Sequence, residues 1–107
     1  MLEIYPVILD WLSSLRPLIC ALEKRDRHLA DQLRRSATSV CLSVAEGMVA
    51  LDGRKRNAYR IAMGEMREAC AAIEIATRLG LVRELDVRDG DRQDRILRTL
   101  VRLARER

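Results

Sequence analysis

Aromatic residues are scarce in this chain, which has one Trp, two Tyr and no Phe among 107 residues. Glycine and proline are also rare, with five and two copies, so few positions would force a helix to end. The composition is rich in helix formers and poor in strand formers, which favours an all-α protein. Few aromatic rings are available to stack on bases, so any nucleic-acid contact is expected to use backbone and shape.

Side chains that carry catalysis are equally few. The single histidine, His28, has no recognisable nucleophile and orienting group around it, and a solvated surface residue is expected. The cysteines lack metal-site spacing and are expected to be small core residues in a reducing cytoplasm; they are Cys20, Cys41 and Cys70. No phosphate-binding loop is present, and no second histidine could complete a carboxylate metal site in a bundle. We therefore expect no enzymatic activity, cofactor or metal.

The beginning of the chain lacks the pattern of a signal peptide. Glu3 and Asp10 interrupt it, and no basic segment precedes an apolar run. No run approaches the ~18–20 apolar residues of a membrane span. The expectation is a cytoplasmic protein without a membrane partner.

Apolar residues recur every three or four positions in four segments, as in amphipathic helices. The first helix should start at Tyr5 or Pro6, and Pro17 should bend it near Ser13 or Ser14.

The other three helices follow with short connections. The second is predicted over residues 28 to 49 or 50, capped by Asp26, and the third over residues 54–79, ended by Gly80. The fourth begins between residues 86 and 91. The core face expected for the third helix comprises Ala58, Ile61, Ala62, Met66, Ala69, Ile73, Ala76 and Leu79. The pattern predicts one domain, residues 1–107, folded as an all-α antiparallel up-down-up-down four-helix bundle.

The stretch QLRRSATSVCLSVAEG, residues 32–47, is apolar on two sides of its helix. One side can face the core of the protein itself. The other carries Leu42 and Val49 with Ala45 beside them, and it predicts an interface with a second subunit. Glu46 lies among these residues and is expected to need a partner.

The same stretch resembles a known bacterial family. The resemblance rests on Leu33-Arg34-Arg35-Ser36-Ala37, Ser39-Val40, Val44-Ala45-Glu46-Gly47, Ile61-Ala62-Met63-Gly64 with Glu68, Ile75-Ala76 and Leu79-Gly80. In order and spacing these are similar to the four-helix-bundle proteins named from intervening sequences in large-subunit ribosomal RNA genes.

This resemblance implies a non-enzymatic bundle that assembles into a homo-oligomeric ring, typically a homopentamer. A bundle related in fold is the accessory variability protein of diversity-generating retroelements. This relationship implies that the chain forms a basic pentamer that binds RNA or an RNA–DNA hybrid, with a reverse transcriptase as a further partner.

Charge provides the one functional cluster in the sequence. The net charge is +4, and 18 of the 20 basic residues are arginine, whose planar fork suits phosphate. Cations crowd the start of the third helix, where they oppose the helix dipole. The predicted nucleic-acid-binding residues are Arg54, Lys55, Arg56, Arg60 and Arg67. The alternative is a solvated face on a structural or protein–protein interaction module with no nucleic-acid role.

A polar contact is also expected between the second and third helices. Antiparallel pairing about the turn near Asp52 places Arg34 within one turn of Glu68. The sequence therefore predicts a partly buried Arg34–Glu68 ion pair.

Overall fold

The computed structural model describes residues 2–105, and the helices within that range form a four-helix bundle. The helices are α1 (Ile4–Ser14), α2 (Arg16–Glu23), α3 (Arg27–Val49), α4 (Gly53–Arg78) and α5 (Val87–Arg105). Together, α1 and α2 make the first helix of the bundle. It packs against α3 and α5, while α4 packs between α3 and α5 on the other side. The predicted all-α bundle is confirmed.

The first helix breaks at Leu15, one residue beyond the predicted bend. Pro17 has no N–H to donate to the carbonyl of Ser13, and its ring crowds that carbonyl. Leu15 instead donates its N–H to the Leu12 carbonyl at 3.1 Å, a tighter turn than an α-helix makes. Since Leu15 remains buried, the break redirects the helix without removing it from the core.

Two predicted helix ends are confirmed by their capping bonds. The Asp26 carboxylate accepts the N–H of Leu29 at 3.0 Å and so caps the start of α3. Beyond α4, Gly80 adopts a positive φ of 71°, and Leu81 donates to the Ala76 carbonyl at 2.9 Å. These are the features of a Schellman motif, in which glycine ends the helix without steric cost.

The core lies along the bundle axis and receives side chains from all the helices. Its largest fully buried side chains are Trp11, Ile8, Leu15, Leu22, Leu33, Met66, Ile96 and Leu100. The Trp11 indole N–H donates to the Gln93 side-chain oxygen at 3.0 Å, which joins α1 to α5. The indole N–H, which is the only polar group of this buried side chain, therefore has a hydrogen-bond partner.

Helices α3 and α4 approach each other closely where Gly47 faces Tyr59. A Cβ at position 47 would lie 2.5 Å from Cε1 of that buried ring. Glycine is therefore required by the packing at this point, and the contact sets the register of the antiparallel pair.

Several side-chain placements differ from the predictions. Ile61 and Leu79 were expected in the core but are 49% and 65% exposed, because they lie on the flank of α4 that faces away from the bundle axis. Glu46 is exposed on the single chain, so its need for a partner at the predicted subunit interface stays a prediction. Cys20 is exposed as well, whereas Cys41 is buried and Cys70 half-buried.

The predicted Arg34–Glu68 ion pair is wrong. The Arg34 guanidinium lies 2.8 Å from the Glu23 carboxylate of α2 and 3.1 Å from the Asp31 carboxylate. Arg34 is rotated by about 140° around α3 from Gly47, the residue that contacts α4. It therefore points toward α2 and away from Glu68. Both partners of the Arg34–Glu23 pair are partly hydrated, so the pair adds less than ~1 kcal/mol.

One helical stretch, Ile4–Glu23, is long and apolar enough by length and composition to cross a membrane, with a mean hydropathy of 1.2. The sequence expectation was that no such run exists. A core helix of a soluble bundle has the same composition, and this stretch places Ile8, Trp11 and Leu22 in the core. Core packing accounts for only part of its apolar character, because 28% of the stretch is buried in the bundle.

The Gly47 contact predicts opposite effects for two glycine substitutions. Gly47→Ala gains helix propensity but forces Tyr59 to move, and it should lower the free energy of unfolding by about 1–3 kcal/mol. Gly64 has open space at the position of a Cβ. Gly64→Ala should therefore raise the free energy of unfolding by about 0.5–1 kcal/mol. Chemical denaturation of both variants checks this, and equal effects at the two positions would contradict the close approach.

The turn between α3 and α4 predicts a further stabilising change. Asp52 has φ 59° and ψ −138°, a strained conformation for a residue with a Cβ, and its side chain makes no capping bond. Asp52→Gly should raise the free energy of unfolding by about 1 kcal/mol. Asp26→Ala is the contrasting variant, since it removes a capping bond and should cost about 1 kcal/mol. Thermal unfolding of both measures the difference, and destabilisation by Asp52→Gly would rule out strain at this turn.

Candidate nucleic-acid interface

Three of the five predicted binding residues lie together on the outer face of α4. Arg56, Arg60 and Arg67 fall within about 40° of one another around the helix axis. Arg60 and Arg67 are exposed, and Arg56 is half-buried. The structure therefore keeps these three cations on one face.

The other two predicted residues point elsewhere. The Lys55 ammonium lies 6.0 Å from the centroid of the Tyr59 ring, at the outer limit of a cation–π contact, and the side chain is half-buried. Arg54 is exposed but lies about 160° around α4 from Arg56. Arg54 and Lys55 are therefore not part of the shared face, because consecutive helical residues diverge by about 100°.

Helix α5 adds a cation that the sequence interpretation left out of the site. Arg98 lines a groove between α4 and α5 together with Arg67, Asp94, Leu97 and Val101. Because α5 runs antiparallel to α4, its second half lies beside the first half of α4. The helical wheel of α5 combined with antiparallel pairing could have identified Arg98. We call Arg56, Arg60, Arg67 and Arg98 the basic surface.

The folding of α4 against α5 concentrates charge at one end of the bundle. Residues 53–67 of α4 hold five cations and one acid, and residues 95–105 of α5 hold four arginines and no acid. The acids of α5 are confined to its first half, where their negative charges interact favourably with the positive end of the helix dipole. The antiparallel arrangement thus places two basic half-helices side by side.

The cations of the basic surface have no carboxylate partners within the described range. Ion pairs between residues 2 and 105 join Arg34 to Glu23 and Asp31, and Arg92 to Asp89. Every member of the basic surface is outside these pairs. No carboxylate of the described residues lies within 4.0 Å of these guanidinium groups, so their N–H donors are available to an anion.

The opposite end of the bundle has a different character. A groove of about 650 Å³ runs between α2 and the connection from α4 to α5. Its polar lining mixes both signs of charge, in Arg25, Arg83, Glu84, Asp86 and Asp89. Mixed charge of this kind has no preference for phosphate, so this groove is distinct from the basic surface.

The thiols and potential metal ligands form no catalytic arrangement in the described part of the chain. Burial raises the pKa of the Cys41 thiol. Burial, together with the nearby charge of Asp94, raises the pKa of Cys70 to about 11. Both thiols are therefore protonated at neutral pH and are poor nucleophiles. No cluster of three His, Cys, Asp or Glu residues capable of holding a metal occurs among residues 2–105, and His28 is exposed.

The predicted subunit interface lies on a separate surface. Leu42 and Val49 are 65% and 80% exposed, which confirms that they project from α3 away from the core. Ala45 is half-buried. On α4, Ile61 and Ile75 are also about half exposed, at 49% and 48%. We call Leu42, Val49, Ile61 and Ile75 the outer apolar stripe.

Comparisons with known proteins agree with this architecture. A family model described as 23S rRNA-intervening sequence protein matches residues 15–101. A similar solved structure is a crystal structure of a protein of unknown function from the S23 ribosomal protein family of Bacteroides thetaiotaomicron VPI-5482, with a TM-score of 0.79 and 17% identity. The alignment covers 96% of this chain and 99% of that one, and it establishes a shared fold. No curated protein sequence matches the chain. The chain belongs to the 23S rRNA-intervening sequence protein family.

Proposed function

We propose that this protein is a non-enzymatic, cytoplasmic, homo-oligomeric accessory protein that binds RNA or an RNA–DNA hybrid. The observation that carries the proposal is the basic surface, on which four arginines without carboxylate partners among residues 2–105 extend from the start of α4 to the middle of α4 and α5.

Phosphate is the ligand that this surface suits best. Arginine guanidinium groups form bidentate bonds with phosphate oxygens and keep their charge at every physiological pH. Arg60 and Arg67 are seven residues apart, or about 10 Å along α4, so together they can follow a nucleic-acid backbone. Backbone contacts of this kind are largely independent of sequence and weaken steeply with salt.

Neutralising two members of the basic surface tests its role. The double variant Arg60→Gln with Arg67→Gln should weaken binding to structured RNA of any sequence. It should also make the slope of log K against log salt less negative by about 2. The matched control is Arg78→Gln with Arg88→Gln, which removes the same charge at the other end of the bundle and should leave the slope nearly unchanged. Fluorescence anisotropy across a salt titration measures both.

Two results would contradict the proposal. Equal slopes for the two double variants would assign binding to overall charge instead of the basic surface. A wild-type protein that fails to bind structured RNA or an RNA–DNA hybrid at ~50 mM salt would favour the alternative, a protein–protein interaction module whose charge keeps it in solution.

The outer apolar stripe supports the homo-oligomeric part of the proposal. Its members recur at seven-residue multiples within each helix, Leu42 with Val49 on α3 and Ile61 with Ile75 on α4. Gly64 and Ala71 lie between the two isoleucines on α4, so the backbone is accessible to a neighbouring helix. Glu68 occupies the heptad position between Ile61 and Ile75, so the apolar surface on α4 is interrupted by one carboxylate. Exposed apolar residues of this kind are typical of surfaces that pack against another chain, and a second copy of the protein offers the same surface. Burying each large side chain would contribute up to ~1.5–3 kcal/mol.

Charge on the outer apolar stripe should therefore prevent assembly. Leu42→Glu is expected to reduce the molar mass in solution to that of a monomer while leaving helical content intact, because Leu42 makes no core contact. Val87→Glu is the control, since Val87 is also exposed, at 80% against 65% for Leu42, but lies on α5 outside the stripe. Light scattering with circular dichroism provides both measurements. A monomeric wild type at micromolar concentration would exclude the homopentamer implied by the resemblance.

A reverse transcriptase as partner stays a prediction, for which co-purification is the test.

A further inference from the structure

The groove between α4 and α5 combines an apolar floor with charged walls. Leu97 and Val101 are half-buried, one turn apart on α5, and form the floor. Arg67 stands on the α4 side and Arg98 on the α5 side, both exposed. The groove is open to solvent, and its volume of about 300 Å³ is at the lower limit for small-ligand pockets, so it suits one nucleotide and is too small for a duplex.

The composition of the groove matches the parts of a nucleotide. An unstacked base has apolar faces, which can lie on an aliphatic floor and against a guanidinium plane. The phosphates before and after that base can each accept N–H bonds from an arginine. Arg67 and Arg98 are free of carboxylate partners among residues 2–105, so both are available for these contacts.

Asp94 is the residue that a simple phosphate site would not contain. Its carboxylate lines the groove, and no cation of the described chain lies within 4.0 Å of it. Its negative charge also contributes to the raised pKa of Cys70, which lies on α4. Asp94 is exposed, so water hydrates its carboxylate in the free protein. A carboxylate there repels phosphate, and a ligand group rich in N–H donors would complement it.

The base that best meets this requirement is guanine. Its Watson–Crick edge presents two neighbouring donors, N1–H and the N2 amino group, to the two oxygens of a carboxylate. Cytosine and adenine present one donor group next to an acceptor, and uracil presents one donor between two acceptors. The acceptors would face Asp94 unfavourably, so the groove should discriminate among bases.

We propose that this groove binds a single unpaired guanosine of an RNA strand, with the base on Leu97 and Val101, its Watson–Crick edge on Asp94, and the flanking phosphates on Arg67 and Arg98. This proposal rests on the RNA-binding role argued above and names the feature of the RNA that is recognised. Backbone contacts elsewhere on the basic surface then supply affinity, and the groove supplies a preference.

The experiment compares hairpin RNAs that differ in one bulged nucleotide. Wild-type protein should bind the guanosine bulge about 5- to 10-fold more tightly than adenosine, cytidine or uridine bulges. An inosine bulge, which lacks the N2 amino group, should lose most of that preference. Fluorescence anisotropy at one salt concentration gives the affinities, and circular dichroism verifies that each variant is folded.

Two charge-matched variants locate the preference. Asp94→Asn should abolish the preference for guanosine while leaving the affinity for the adenosine, cytidine and uridine bulges equal or higher, because a negative charge near phosphate is removed. Asp91→Asn makes the same charge change one turn earlier on α5, outside the groove, and should retain the preference. Loss of preference in both variants, or in neither, would overturn the assignment to Asp94.

The remaining outcomes separate this proposal from the function on which it rests. RNA binding without any base preference overturns the guanosine site and leaves the proposed function standing. Absence of RNA binding overturns both. Equal preference in DNA hairpins, or binding of GMP as tight as that of the bulged RNA, overturns the assignment to an RNA strand.

Discussion

The close packing of α3 against α4 is the constraint on which the rest of the structure depends. Gly47 leaves room for the Tyr59 ring, and Ala62, Ala69 and Ala76 repeat every seven residues along α4 with no exposed surface. Small side chains at a helix interface allow the backbones to approach and fix one register, because a larger residue would separate the helices along their whole length. This pair forms the long rigid hairpin against which the broken first helix and α5 are packed.

The position of the basic surface follows from that packing. Once α4 is fixed, α5 must return antiparallel beside it, and its arginine-rich second half comes to lie next to the arginine-rich start of α4. Cations outnumber acids in both clusters, and the cations at the start of α4 oppose the helix dipole, which costs some tenths of a kcal/mol each. A ligand that brings negative charge would remove this electrostatic cost.

Local signals predicted the helices well. The spacing of apolar residues identified every helix, and Asp26 and Gly80 marked two ends because their bonds are made within one turn of sequence. The environments of side chains on the flanks of the helices were harder to predict. Arg34 had carboxylates on two neighbouring helices as possible partners, and its position around α3, facing α2, decided for Glu23 over Glu68. Ile61 and Leu79 fitted an apolar periodicity but lie outside the buried arc.

By itself, the sequence determined the helical class, the order and approximate ends of the helices, and the presence of a cationic segment at the start of α4. These depend on periodicity, capping and composition, which act over a few residues. Only the tertiary structure decided which cations share a surface: it joined Arg98 to Arg56, Arg60 and Arg67, and it directed Arg54 and Lys55 elsewhere. The physical reason is that a shared surface between helices depends on their rotation and register, which are set by packing contacts between residues distant in the chain.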